Sequence, residues 1–284
     1  GVEVSNNDAE YTESGVQFEY EEVLLVSVDP SRGVMSGGTE LTVVGEHLHA
    51  GGSKGLYCKF GVSLMQPATW QSTSSIRCAS PSYGDGGMVE LVVINNEAVY
   101  KSVLVWTYYE DPVVYGIYPV VGGVSGGTVV QVFGVGFLGS FGTYCRFGEI
   151  SVPARWSSDT LMECASPGVD GGGEVYVEVS MNNQQYGSLG SGSFEYQEMA
   201  EVEFVYPVKG PSEGGTFVVV SGSGFSQRSS ILSYLYCRFN VTRVVASYVS
   251  MEEVHCTAPI GVTGYVGVEV SNNDAEYTES GVQF

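Results

Sequence analysis

Gly126-Gly127-Thr128-Val129-Val130-Gln131-Val132-Phe133-Gly134, followed by Tyr144-Cys145-Arg146-Phe147 and Cys164-Ala165-Ser166-Pro167, is a phrase the chain writes three times. Its earlier copy reads Gly37-Gly38-Thr39, Leu41 to Val44, Gly45, Tyr57-Cys58-Lys59-Phe60 and Cys78-Ala79-Ser80-Pro81. The later one reads Gly214-Gly215-Thr216, Phe217 to Val220, Gly222, Tyr236-Cys237-Arg238-Phe239 and Cys256-Thr257-Ala258-Pro259. Before each copy stands a short apolar stretch ending in proline, and Pro30, Pro119 and Pro207 are 89 and 88 positions apart. A fixed period of this length marks a repeat architecture, and the fold of one module decides the fold of all.

Each copy closes with an alternating segment: Val89, Leu91, Val93; Val175, Val177, Val179; and Val266, Val268, Val270. Period-two alternation is the mark of a strand with one buried face. Asn95-Asn96, Asn182-Asn183 and Asn272-Asn273 come next, and Asn tolerates the left-handed backbone that a tight turn needs. With 39 glycines, 19 tyrosines and no convincing amphipathic helix, the chain is all-β: many short strands joined by tight turns.

Residues 1–18, GVEVSNNDAEYTESGVQF, are repeated letter for letter at 267–284, an offset of 266, or three module periods. Residues 1–20 therefore read as the closing hairpin of a preceding module whose body is absent, and the sequence looks like a mature or excised piece of something longer. The modules expected are 21–109, 110–197 and 198–284. A chain with such a period is most simply one turn of a continuous array, in which each unit is stabilised by itself and its neighbours. Head-to-tail polymerisation by strand exchange is the second arrangement the duplication allows.

The six cysteines fall two per module, 20, 19 and 19 positions apart. Of the fifteen possible connectivities the economical one is local, Cys58–Cys78, Cys145–Cys164 and Cys237–Cys256. Closing loops of this size stabilises each module by ~3 kcal/mol on the chain-entropy account. Such a framework implies an oxidising compartment, outside the cell or on its surface. Asn240-Val241-Thr242 is the one N-glycosylation sequon and stands just beyond Phe239, where a strand should emerge at the surface. An N-linked glycan on Asn240 is expected.

These phrases resemble the IPT/TIG family, immunoglobulin-like β-sandwiches of plexin-like receptors, some transcription factors and many surface proteins. The resemblance rests on the Pro-x-x-Gly opening, Gly-Gly-Thr, the glycine turn and the proline after the second Cys, and it extends over nearly the whole chain. It implies tandem β-sandwiches, three modules plus a leading hairpin. Function must come from context, since one fold hosts many roles.

Charge narrows that context. Eleven Lys and Arg against 32 Asp and Glu give a formal charge of −21. A surface so acidic repels a phosphate backbone and an anionic bilayer, so neither nucleic acid nor membrane contact is expected in this segment. The longest apolar stretch, Val23 to Val28, is far short of a span.

Several sharper motifs dissolve on inspection. Gly134-Val135-Gly136-Phe137-Leu138-Gly139 has the dinucleotide-binding spelling, but that motif works only where a helix begins behind it. Here it is the turn that also occurs at Gly45 and at Gly222-Ser223-Gly224-Phe225. His47 and His49 occur in one module of three, and a solvated loop is the expected setting. Asp85, Asp170 and the acidic cluster Glu19, Glu21, Glu22 and Asp29 lack the ligand spacing of a calcium loop. No metal, cofactor or catalytic group is expected, and the chain is read as a non-enzyme. Trp106, Tyr108, Tyr109, Phe194, Tyr196, Phe18 and Tyr20 lie at module ends, where they either stiffen joints or face their own cores. Connections as short as Tyr109–Pro112 and Tyr196–Val202 favour a stiff rod. The function expected is a structural repeat of an extracellular filament or surface appendage associating with copies of itself; an adhesion or recognition ectodomain is the alternative.

Overall fold

The computed structural model describes every residue except 18–19, 101, 140–141 and 188–191. Two compact units result, Gly1–Glu110 and Asp111–Phe284, the second holding two modules.

The first module shows the plan. Its strands are β1 (Leu24–Asp29), β2 (Arg32–Val34), β3 (Glu40–Glu46), β4 (Leu56–Phe60), β5 (Leu64–Ser72), β6 (Ser75–Ala79), β7 (Gly87–Asn95), β8 (Ala98–Val99) and β9 (Leu104–Tyr109). They pair in the order β1-β3-β6-β5-β4-β7-β9-β2, with β8 added to β7. β5 belongs to both layers: its first half, to Pro67, pairs with β4, and its second half, from Ala68, pairs with β6. The strand crosses at the proline, where the ladder must in any case lose a donor. Module two repeats the crossing at Pro153-Ala154. In module three the same segment is broken into Thr242–Val245 and Ser247–Ser250 around buried Ala246.

Alternation on the closing strands holds. Leu91 and Val93, Val177 and Val179, and Val268 and Val270 are all buried, with Val89, Val175 and Val266 half-buried at the strand starts. Each core carries a T-shaped aromatic pair between a central strand and the module's closing segment: Phe60–Trp106 at 5.7 Å, Phe147–Phe194 at 5.4 Å and Phe239–Phe284 at 5.7 Å. Edge-to-face pairing adds about 1 kcal/mol to the burial of two large rings.

The signature letters have geometric reasons. Both glycines of each Gly-Gly-Thr hold positive φ, between 75° and 89°, a region that side chains with a Cβ avoid. The turn glycines are required by crowding: a Cβ on Gly45, Gly134 or Gly222 would lie 2.4, 2.1 or 1.9 Å from a carbonyl oxygen of the first strand. The peptides before Pro30, Pro119 and Pro207 are all cis.

Two local expectations need correction. The third module's turn is one residue later than Asn272-Asn273: Asp274 takes the positive φ, at 58°, while Asn273 accepts hydrogen bonds from the N–H groups of Ala275 and Glu276. Asn272 instead binds outward, donating to the Gly224 carbonyl. The chain also contains a helix, Gln227–Ile231, behind the Gly222 turn. Ser226 caps it by accepting from the Ser229 N–H, and the longer stretch between that turn and Cys237 makes room for it.

Candidate assembly interface

Three disulfides tie one layer of each sandwich to the other: Cys58–Cys78, Cys145–Cys164 and Cys237–Cys256, with Cα atoms 6.4, 6.3 and 6.4 Å apart. All six cysteines are engaged, and all are buried. The modules are thus built as separately stapled bodies, and the chemistry of interest lies where one meets the next.

Within the second unit, modules two and three are joined by polar and aromatic contacts from four segments. Glu195, on the last strand of module two, forms an ion pair with Arg228 on the short helix. Beside it the Ser229 hydroxyl donates to the Gln197 side chain at 3.5 Å. From the other side, Thr128 of Gly-Gly-Thr donates its hydroxyl to Glu276 at 2.7 Å. Glu276 is held in place by Asn273, whose side-chain amide donates to the same carboxylate oxygen at 2.9 Å. Tyr118 and Tyr234 meet edge to face, with ring centroids 5.7 Å apart. Burial, and then the carboxylate of Asp274, push both hydroxyls above the ordinary phenol range. Asp274 is itself paired with Arg243 at 2.5 Å, and Arg243 lies over the Tyr236 ring. Met199 of the linker closes the seam by packing its thioether where a Cβ on Gly123 would stand.

Of the two roles open to the module-end aromatics, most take the second and face their own cores. Trp106, Tyr108, Phe194 and Tyr196 are buried in their own modules; Tyr109 is buried on the opposite face of its strand from Tyr108, Tyr20 is exposed, and Phe18 lies outside the described residues. The alternation of a strand sends Trp106, Tyr108, Phe194 and Tyr196 inward, so the joint between modules two and three takes its ring contact from Tyr118 and Tyr234.

At its far end module three holds an open cavity of about 920 Å³ lined by Lys209, Gly210, Phe239, Pro259, Tyr265 and Phe284, among others. In module one the corresponding place is filled by Tyr108. That ring packs against Phe60 and Trp106, stacks on Tyr83 at 4.9 Å, and donates its hydroxyl to the Pro81 carbonyl at 3.0 Å. Tyr196 fills it in module two, edge-on to Phe194 at 5.0 Å, with its hydroxyl pushed up to about 12 by burial. Asn240 is an exposed residue on the rim of this cavity, in the turn between Tyr236–Phe239 and Thr242–Val245.

The remaining motifs stay modest. Leu48 is buried, so His47 and His49 both turn outward, each with a ring nitrogen 3.5 Å from the Glu21 carboxylate. Asp85 and Asp170 are exposed. Among the described residues no three His, Cys, Asp or Glu side chains gather as a metal site. Behind Gly134 the described residues run on without a helix. No helix among them is long and apolar enough to cross a membrane.

Comparison with known proteins agrees with the architecture. The extracellular region of plexin A4, domains 1 to 10, superposes over 98% of this chain and 25% of its own at TM-score 0.50 and 14% identity. Human fibrocystin-L is 25% identical over 214 residues, which span 73% of this chain but only 5% of that protein. The profile of the IPT/TIG domain matches residues 24–108, 112–196 and 201–284. The chain belongs to the IPT/TIG domain family, as three tandem copies.

Proposed function

We propose that the chain is the structural repeat unit of an extracellular filament or cell-surface appendage, with the three-module period continuing along the fibre. The observation that carries this is the eighteen-residue identity at an offset of three periods. A receptor that binds through one specialised module has no need to reproduce its sequence in phase, whereas a fibre gains length by doing so. The joint between modules two and three supports the reading: an ion pair, a charged hydrogen bond and an edge-to-face tyrosine pair resist bending in several directions at once. Three stapled cores suit an oxidising, extracellular setting, and the exposed Asn240 suits a glycan. The role is mechanical rather than catalytic, and the partners are further copies of the same repeat.

The likeness to plexin A4's extracellular region and to fibrocystin-L favours a second reading, the ectodomain of a recognition receptor. The mass of the native polypeptide, reduced and deglycosylated, separates the two. A chain several times heavier than 30.3 kDa, whose peptides map repeatedly onto these 284 residues, supports the array. A heavy chain in which this segment occurs once, beside unrelated domains, supports the receptor.

A further inference from the structure

Three tyrosines from two modules face one carboxylate at the joint. Tyr118 ends the first strand of module two, and Tyr234 and Tyr277 belong to module three. Burial first, and then the Asp274 carboxylate, raise all three hydroxyls above the ordinary phenol range, which places that charge beside each of them. Tyr277 lies under the Arg238 guanidinium, 4.2 Å from the ring centre. A cation over a ring holds the ring's electrons and opposes the removal of one. Among the described residues no guanidinium lies over Tyr118 or Tyr234. These two form the pair that spans the joint, with centroids 5.7 Å apart and planes at 84°. Tyr118 is 37% exposed, so an oxidant in solution reaches it while the joint stays closed.

The arrangement meets the needs of phenol coupling. A tyrosine gives up an electron near neutral pH when its hydroxyl proton leaves at the same time, and a carboxylate beside it is a base for that proton. Two tyrosyl radicals held side by side then combine without a diffusive encounter. We propose that Tyr118 and Tyr234 are a modification site, at which an extracellular peroxidase using hydrogen peroxide joins the rings as dityrosine and fixes module two to module three.

The step balances as follows from the chemistry of the two rings. Each loses one electron and its hydroxyl proton, and a carbon–carbon bond forms between one Cε of each. The C–H bonds at those two carbons break, and both oxygens regain a proton, so the rings return to phenols. The two electrons and two protons go to hydrogen peroxide, whose O–O bond breaks to give two waters. The exposed Tyr118 ring has room to turn out of the edge-to-face geometry as the bond forms. The oxidising setting is the one the disulfides already imply. The site goes beyond the filament reading and stands independently of it, because both rings lie in one chain.

Module one supplies the contrast. Tyr83 and Tyr108 are closer, stacked at 4.9 Å, but Tyr108 is 2% exposed and donates its hydroxyl to the Pro81 carbonyl, which is no base for the proton. No link is expected there.

Treating the dilute 284-residue chain with peroxidase and hydrogen peroxide tests the proposal. The expected result is dityrosine fluorescence in chains that remain monomeric. Digestion should then yield one branched peptide, joining the segments of Tyr118 and Tyr234 and lighter by two hydrogens than their sum. Tyr118→Phe and Tyr234→Phe keep the rings, and each should abolish this peptide while thermal unfolding is unchanged; Asp274→Asn should slow its formation. No link between Tyr118 and Tyr234, coupling only between separate chains, or a link at Tyr83–Tyr108 in its place overturns the proposal. A rate untouched by Asp274→Asn overturns the part given to the carboxylate.

Discussion

Residues 1–17 and 267–283 are the same letters in two environments. In both, the serine–asparagine turn forms. Asn7 accepts from the Ala9 and Glu10 N–H groups at 3.0 and 2.9 Å, and Asn273 from Ala275 and Glu276 at 3.1 and 2.8 Å. Asp8 and Asp274 take φ of 59° and 58°. Only at the carboxyl end does a strand form, Val268–Ser271, laid against Tyr236–Phe239. There Val268 and Val270 are 0 and 1% exposed, against 47 and 65% for Val2 and Val4. Local hydrogen bonding thus suffices for the turn, whereas the strand is made by its partner, as the context-dependence of β-structure requires.

The contrast breaks most sharply under charge. Val270→Asp should destabilise the third module by about 4 kcal/mol, because a carboxylate enters a closed core, while Val4→Asp should change stability by no more than about 0.5 kcal/mol. Amide exchange read segment by segment checks both, since the modules need not unfold together. Removing the bridge beneath the docked copy, with Cys237→Ser and Cys256→Ser together, should cost about 3 kcal/mol. It should speed exchange across Val268–Ser271 and leave residues 1–17 unchanged. Asn273→Ala should cost about 1 kcal/mol, since a buried side chain and two part-buried hydrogen bonds are lost, whereas Asn7→Ala alters a turn whose partners are open to water and should register only a few tenths.

An effect confined to alkaline pH concerns the Phe-Glu-Tyr ending. In module two, burial raises the Tyr196 hydroxyl from 10.0 to about 12, so between these values the folded state holds a proton that the unfolded state has released. Stability contributed by that proton is complete below pH 10 and lost as the pH rises towards 12. Alkaline denaturation should show it as a falling unfolding midpoint for module two over that window, and Tyr196→Phe should flatten the slope.

How much can be read from the sequence obeys the same division between local and borrowed structure. Gly-Gly-Thr, the turn glycines and the paired cysteines recur because each answers a constraint within one module, such as the carbonyl that excludes a Cβ from Gly134. Alternation places Leu91, Val177 and Val268 inward because a strand's faces are set by its own period. The joint is illegible for the converse reason. Tyr234 and Arg228 come from a segment that differs between modules, and Tyr118 and Glu195 stand in repeated phrases that give no hint of a partner across the joint, while module-end aromatics draw attention to rings that the strands turn into their own cores. The helix at Gln227–Ile231 is too short to show a periodic apolar face, and its one signal is Ser226 as a cap.

Electron microscopy of the native material tests the central claim most directly. The account predicts unbranched filaments whose axial density repeats every three modules, with joints of constant geometry between modules two and three. Isolated particles, or a rod of IPT/TIG modules with no three-module period, would contradict it.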